Sequence, residues 1–258
     1  MKFTLIFLYV LSWSLSFAQI DFKNSIKFNA IGPASQLYSV QYERKVSEHW
    51  AFNNTVFYRQ KSLIPFGLQV DTLAKRHGLG TIGIKFQYIF MNEARMGVFG
   101  YSPELRYYFG QNKNRFFVSA FGQYENFDMN VPISLAVKVK SLFLNDVRTP
   151  IDFNFQTLSG GLLIGKQFKW NRFGLDFVIF GPHFGKARKF NAINTSDLFS
   201  ELSADDLLYL KDKIVDRFGF TEEYFSLEIT NKKVEINSIK PIPYFGIRGF
   251  GFNFYYTF

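Results

Sequence analysis

The sequence contains no cysteine and only three histidines, His49, His77 and His183, which lie far apart. The lack of cysteine excludes disulfides and thiol chemistry, and the histidine spacing gives none of the clustered ligands of a metal site. Beyond residue 18, no run approaches the ~20 apolar residues that a membrane-spanning helix needs. The sequence therefore predicts no metal and no cofactor, and any passage through a membrane would need strands.

The first 18 residues have the features of a secretory signal peptide. A basic start at Lys2 precedes a short apolar run, and small residues lead to a cleavage site after Ala18. The mature chain would comprise residues 19–258 and, having lost Lys2, would carry a formal charge of +8 instead of +9. Export and the lack of dense Lys/Arg runs argue against nucleic acid. Lipid headgroups, lipopolysaccharide phosphates or internal carboxylates are the expected partners of the excess charge.

Aromatic residues alternate with small or polar residues at the end of the sequence. Every second residue is aromatic, at Phe250, Phe252, Phe254, Tyr256 and Phe258. A strand directs these side chains to one face. Such a face, in a chain that is 20% aromatic, is typical of the lipid-facing side of an outer-membrane β-barrel. In its terminal aromatic residue the chain resembles bacterial outer-membrane β-barrel proteins, and this resemblance implies recognition of the last strand by the barrel-assembly machinery.

Seven further segments show the same two-residue period, namely residues 25–31, 35–46, 50–59, 98–109, 116–127, 155–168 and 173–182. Together with 246–258 they predict an all-β fold, a transmembrane antiparallel up-and-down β-barrel of eight strands. Connections are short at one end and long at the other, where extracellular loops are expected at about 60–97, 128–154 and 183–245. Residues 81–90, 133–139 and 225–236 are interpreted as loop hairpins, and a barrel of ten or twelve strands is the alternative.

The longest of these loops contains one predicted helix. Ser203 and Asp206 resemble a capping box, and apolar residues then recur at helical spacing from Leu207 until Gly219. Acidic residues at the start and basic residues near the end suit the helix dipole. We expect a helix over 203–218 that packs on the loop hairpins, or alternatively serves as a partner surface or a lid.

Charged residues collect on the face opposite the aromatic one, and they are Lys27, Glu43, Glu104, Arg106, Glu125 and Asp176. The interior of a small barrel is filled by side chains, and unpaired charges there would be very costly. We therefore expect a salt-bridge network that plugs the lumen. A narrow conduit gated by these pairs and a ligand-binding site are the alternatives.

Catalysis is not expected from the sequence. His183 could in principle join Asp176 or Ser196 in a triad, but the Gly-x-Ser-x-Gly motif is absent. No catalytic residue is therefore assigned.

Three motifs carry a resemblance to a known family. They are the runs Tyr-Glu-Arg-Lys at 42–45, Pro-Glu-Leu-Arg-Tyr-Tyr-Phe at 103–109 and Gly-Leu-Leu-Ile-Gly-Lys-Gln at 161–167. Together they resemble a family of small bacterial outer-membrane β-barrels of OmpA/OmpX-like architecture, known only as a domain of unknown function. The resemblance implies a barrel fold and supplies no catalytic residues.

The favoured hypothesis is a monomeric, non-enzymatic protein of the bacterial outer membrane. It would contact outer-membrane lipid and lipopolysaccharide, and would bind an extracellular ligand or protein through the 183–245 loop or stabilise the envelope. A narrow passive channel and a lipid-modifying enzyme are the alternatives.

Overall fold

The structure is a computed structural model, and it describes residues 24–65, 67–69, 72, 90–110, 114–139, 142–195, 203–218, 222–230 and 233–258. The predicted signal peptide, residues 1–18, lies outside this part, and so do His77 and residues 81–89. The strands are β1 (Asn24–Asn29), β2 (Leu37–Lys45), β3 (Trp50–Leu63), β4 (Arg95–Tyr108), β5 (Asn114–Val139), β6 (Leu142–Trp170), β7 (Phe173–Thr195), β8 (Phe225–Thr230), β9 (Lys233–Ser238), β10 (Ile242–Arg248) and β11 (Gly251–Thr257). Two helices have bounds within the described residues, and they are α1 (Gly32–Ser35) and α2 (Ala204–Phe218).

Antiparallel pairing joins the strands into a ring. Each strand from β1 to β6 pairs with the next along the chain, and β11 pairs with both β7 and β1. β10 also pairs with β7, so β10 and β11 together form one strand that is interrupted at Gly249 and Phe250. Within the described residues the ring thus has eight antiparallel strands, the number that the sequence predicts. No helix in the described residues is long and apolar enough to cross a membrane.

Tight connections lie at one end of the ring, which we call the turn end. β2 and β3 are joined by residues 46–49, and β6 and β7 by only two residues. In the second turn Asn171 has a φ of 54°, a left-handed conformation that asparagine tolerates better than most residues. The short connections that the sequence predicts at one end therefore include these two turns between adjacent ring strands.

Side chains alternate between the outside and the inside of the ring. In β11, Phe252, Phe254 and Tyr256 are exposed, whereas Asn253, Tyr255 and Thr257 are buried. Phe250 and Phe258, which flank β11, are exposed as well. All five aromatic residues of the predicted face therefore lie on the outer surface. This is the two-residue period that a strand imposes on its side chains.

Three strands continue beyond the ring at the end opposite the turns. β5, β6 and β7 have 26, 29 and 23 residues. Their extensions, residues 131–139, 142–151 and 191–195, join β9 and β8 in one sheet. We call these extensions, with β8, β9 and α2, the crown. The expected loops 128–154 and 183–245 thus contain long strands, and residues 133–139 and 225–236 form hairpins as predicted.

The crown has a hydrophobic core of its own. Its buried members are Ala94, Val131, Ile133, Ile151, Ala192, Phe225, Val234 and Ile236. A second buried cluster lies inside the ring and consists of Ala51, Tyr108, Phe117, Phe121, Leu163 and Val178. Because β5, β6 and β7 contribute to both clusters, the crown is an extension of the ring sheet.

Helix α2 begins with the predicted capping box. The Asp206 backbone N–H donates to Ser203 Oγ at 3.3 Å, and the Ser203 N–H donates to Asp206 Oδ2 at 3.3 Å. These reciprocal bonds satisfy two of the amide groups that a helix start leaves without partners. Leu207 packs against the crown core, so α2 lies against the strands of the crown as the sequence predicts.

Candidate functional site inside the strand ring

An arginine links three carboxylates inside the ring. Arg106 Nε donates to Glu104 Oε1 at 2.7 Å, and Arg106 Nη1 lies 2.6 Å from Asp176 Oδ2 and 3.3 Å from Glu43 Oε2. Glu43, Arg106 and Asp176 belong to β2, β4 and β7, so these contacts cross the interior of the ring. All four side chains are buried.

A buried lysine completes the same network. Lys27 Nζ lies 2.8 Å from Glu43 Oε2 and also contacts Asp176 Oδ2. The Tyr108 hydroxyl donates to Glu43 Oε2 at 2.7 Å, and Gln167 Nε2 donates to Asp176 Oδ1 at 3.0 Å. These neutral donors therefore add to the contacts that the two cations make with Glu43 and Asp176, while Glu43 Oε1 is buried without a hydrogen-bond partner among the residues that the structure describes.

The charges of this network balance once a third cation is included. Arg248 Nη1 lies 3.6 Å from Glu104 Oε2, so three cations face three carboxylates. Two charges brought out of water lose several kcal/mol of hydration each, and close pairing with additional hydrogen bonds offsets this loss. We call Lys27, Glu43, Glu104, Arg106, Asp176 and Arg248 the interior network.

Glu125 does not join the interior network. It accepts hydrogen bonds from Thr157 Oγ1 at 2.9 Å and from the Tyr244 hydroxyl at 3.2 Å. The reason is register, since Glu104 pairs with Phe121 and Glu125 lies four residues further towards the crown. At about 3.4 Å per residue, this separation is about 14 Å along the strand. The structure thus brings together five of the six predicted charges and leaves the sixth in another cluster.

Sequence reasoning missed Arg248, Tyr108 and Gln167. The period of β4 was sufficient to place Tyr108 inside, because it follows Glu104 and Arg106 at intervals of two residues. Arg248 was harder to assign, since the aromatic period of β11 would place every even residue outside. The interruption at Gly249 and Phe250 shifts this period. No pattern in the sequence signals the shift, apart from a glycine on either side of Phe250.

His183 lies in a second polar cluster nearer the crown. His183 Nδ1 is 2.8 Å from Ser159 Oγ, and both residues are buried. In Ser-His-Asp triads the serine contacts Nε2 and the acid contacts Nδ1, so this pair lacks the triad arrangement. Asp176 belongs to the interior network, and Ser196 lies outside the described residues. Within the described part of the chain, no three His, Asp or Glu side chains form a group that could hold a metal ion.

The comparisons with known proteins identify a family. The model of the family described as "Protein of unknown function (DUF3575)" matches residues 3–207, which is more than three quarters of the chain. The chain belongs to this family. No curated protein and no solved structure matches it.

The segment that matches the DUF3575 family contains only part of the interior network and of the second polar cluster. The matched residues contain β1 to β7, hence Lys27, Glu43, Arg106 and Asp176. Most of α2 and all of β8 to β11, including Arg248, lie beyond the match. The description of the DUF3575 family states no activity.

Proposed function

We propose that the chain is a non-enzymatic β-barrel protein of the bacterial outer membrane, which displays its crown at the cell surface. The observation that carries this proposal is a belt of exposed apolar side chains around the ring. The exposed fractions are 55% for Phe28, 52% for Phe52, 48% for Phe99, 61% for Leu162 and 59% for Phe254. Such a large apolar surface is unfavourable in water, whereas a lipid environment removes this cost.

The height of the belt suits a bilayer. On β6 the outward residues from Leu158 to Trp170 are apolar, except for Lys166. These residues span about 40 Å along the strand, or about 30 Å along the ring axis at the usual tilt of barrel strands. Lys166 lies near the turn end, where its Nζ is 4.9 Å from the Phe116 ring centre and 5.1 Å from that of Phe168. A long basic side chain at such a position can reach the headgroups.

The interior network favours a closed structural barrel over the channel hypothesis. Its carboxylates and cations contact one another directly, and Lys27, Glu43, Arg106 and Asp176 are almost fully buried. Conduction would require several of these contacts to separate at once. A plugged barrel that anchors a surface structure agrees better with this packing.

The crown is the part that we propose to contact partners outside the cell. It includes α2, on which Leu208 and Tyr209 are exposed, and the β8–β9 hairpin. An extracellular ligand or protein would bind residues of the predicted 183–245 loop. Membrane lipid and lipopolysaccharide would surround the belt, and the assembly machinery would recognise the last strand. The ring closes on itself through β1 and β11, which is consistent with a monomer.

Membrane placement is tested by expressing the full chain in a Gram-negative host and separating the membranes. We expect the mature protein in the outer-membrane fraction, extractable only with detergent and with heat-modifiable gel mobility. Recovery as a soluble protein without detergent would refute the proposal. Single-channel recordings in planar bilayers should be silent, and steady conductance by the unmodified protein would instead support the channel hypothesis.

The orientation of the crown is tested by adding a protease to intact cells. We expect cleavage within 203–218 or 222–230, while the ring strands stay protected. Broken cells provide the matched control, because the short turns then become accessible as well. Cleavage of the crown only in broken cells would contradict the proposed display at the surface.

A further inference from the structure

Three basic side chains lie together where the apolar belt ends on β7. Phe184 is the last apolar residue on the outward face of this strand within the ring, and Lys186, Arg188 and Lys189 follow it. All three basic residues are exposed. We call them the basic rim cluster. It lies at the crown end of the ring, and therefore at the level where the proposed membrane would end.

A β-bulge brings two of the three cations side by side. Asn191 pairs with Asn154 and Arg188 pairs with Gln156, so Lys189 and Phe190 together oppose the single residue Phe155. Lys189 has a φ of 54°, in the left-handed region that side chains other than glycine and asparagine rarely adopt. Bulges commonly redirect a side chain. Here the bulge keeps Lys189 exposed next to Arg188, while Phe190 packs against the crown core.

The basic rim cluster has no carboxylate partner among the described residues. Its neighbours in register are neutral, since Lys186 pairs with Leu158 and Pro243, and Arg188 pairs with Gln156. Lys61 near the same end of the ring differs, because its Nζ lies 2.7 Å from Asp128 Oδ1 and 3.5 Å from Asp152 Oδ1. Three adjacent positive charges therefore remain available to an external anion.

We propose that the basic rim cluster binds the phosphate groups of a phosphorylated glycolipid in the outer leaflet. This inference rests on the proposed membrane placement. The acyl chains would lie against Phe184 and Phe245, whose ring centres are 4.8 Å apart, and the phosphates would lie one step higher, beside the cations. The three positive charges suit a lipid that carries more than one phosphate group better than they suit a lipid with a single phosphodiester. Arginine and lysine are the usual partners of such groups.

The test uses native mass spectrometry of the mature full-length protein purified in detergent. The probes are diphosphoryl lipid A, phosphatidylglycerol and inorganic phosphate, each titrated separately. The variant Arg188→Gln/Lys189→Gln removes two charges from the cluster. The variant Lys61→Gln/Lys233→Gln removes two charges that already contact carboxylates, and serves as the matched control. Lys186→Gln provides a third, graded measurement.

We expect diphosphoryl lipid A to bind most tightly, with about 25-fold weaker binding in Arg188→Gln/Lys189→Gln, since each cation near an anionic surface contributes roughly fivefold. Lys186→Gln should weaken binding about fivefold, and the control variant less than about twofold. Equal weakening in the two double variants would refute the cluster. Equally tight binding of phosphatidylglycerol would refute the glycolipid, and equally tight binding of inorganic phosphate would refute a lipid ligand.

The heat-modifiable gel mobility of each purified variant distinguishes failure of the proposed membrane placement from failure of the proposed glycolipid site. A wild-type protein that needs no detergent would refute the proposed membrane placement. A folded, detergent-dependent protein whose lipid retention does not change in the cluster variant would refute only the glycolipid site. Because the cluster residues are exposed, we expect all variants to fold.

Discussion

Replacing Arg106 by alanine is the most direct test of the interior network. Arg106 contacts Glu43, Glu104 and Asp176 and places its guanidinium carbon 4.6 Å from the centre of the Phe117 ring. Its removal leaves three buried carboxylates with Lys27 and the more distant Arg248. Removal of one partner from a buried ion pair typically costs about 3–5 kcal/mol. We expect a loss of stability of this size.

The assay is urea unfolding of the mature protein in detergent, followed by the fluorescence of Trp50 and Trp170 and by the heat-modifiable fraction on gels. Arg106→Lys should give an intermediate loss, because it keeps the charge but cannot form the planar, multiply bonded contact. Arg172→Ala is the matched control. Arg172 is an exposed turn residue whose removal should change the unfolding free energy by less than about 0.5 kcal/mol.

A loss below about 1 kcal/mol for Arg106→Ala would contradict this reasoning, because it is the size of an exposed ion pair. Equal losses in the Arg106 and Arg172 alanine variants would do the same. The small loss would mean that water reaches the interior and hydrates the freed carboxylates, as a conduit would allow.

Three further predictions concern the helix, the crown and the ring. Ser203→Ala removes one partner of the capping box and should destabilise α2 by about 1 kcal/mol, measured by amide hydrogen exchange of residues 204–210. Hydrogen bonds from Lys233 and Asn237 hold the pKa of Glu235 below its usual value. The ionised Glu235 carboxylate therefore stabilises the β8–β9 hairpin above its unfolded-state pKa, and this stabilisation is lost as the pH falls through its folded-state pKa. Equal protection factors of the β9 amides at pH 3 and pH 7, after correction for the pH dependence of intrinsic exchange, would contradict this. Gly174→Ala places a Cβ 2.4 Å from the Phe168 carbonyl oxygen and should cost about 1–3 kcal/mol, so normal refolding yield would argue against the packing.

Features that depend on local sequence were predictable. The two-residue period located the ring strands, and the capping box located α2, because both signals lie within a few neighbouring residues. The inward position of Glu104, Arg106 and Asp176 followed from the same period. Their contact across the ring follows from strand order and register, which residues far apart in the chain determine together.

Features that depend on irregular pairing could not be predicted. The interruption at Gly249 and Phe250 reverses the faces of the last strand, and so places Arg248 inside. The bulge at Lys189 has the opposite result, because it leaves exposed a residue that the regular period of β7 would place inside. Glu125 was correctly predicted to face the interior, but it lies nearer the crown than the interior network. The two-residue period shows which face a side chain occupies and not its position along the barrel axis. The crown strands were expected within loops, since nothing local shows where β5 and β6 leave the ring.

The pairing of β1 with β11 has a consequence for the order of folding. Ser25 and Thr257 are 232 residues apart, yet their hydroxyls lie 3.1 Å from each other. Until residues 251–257 have been delivered, both β1 and β7 present unpaired edges to which other chains could add. Contacts over so long a separation form slowly. The newly made chain therefore needs protection from self-association until its last strand is available, and closure of the ring should be its slowest folding step.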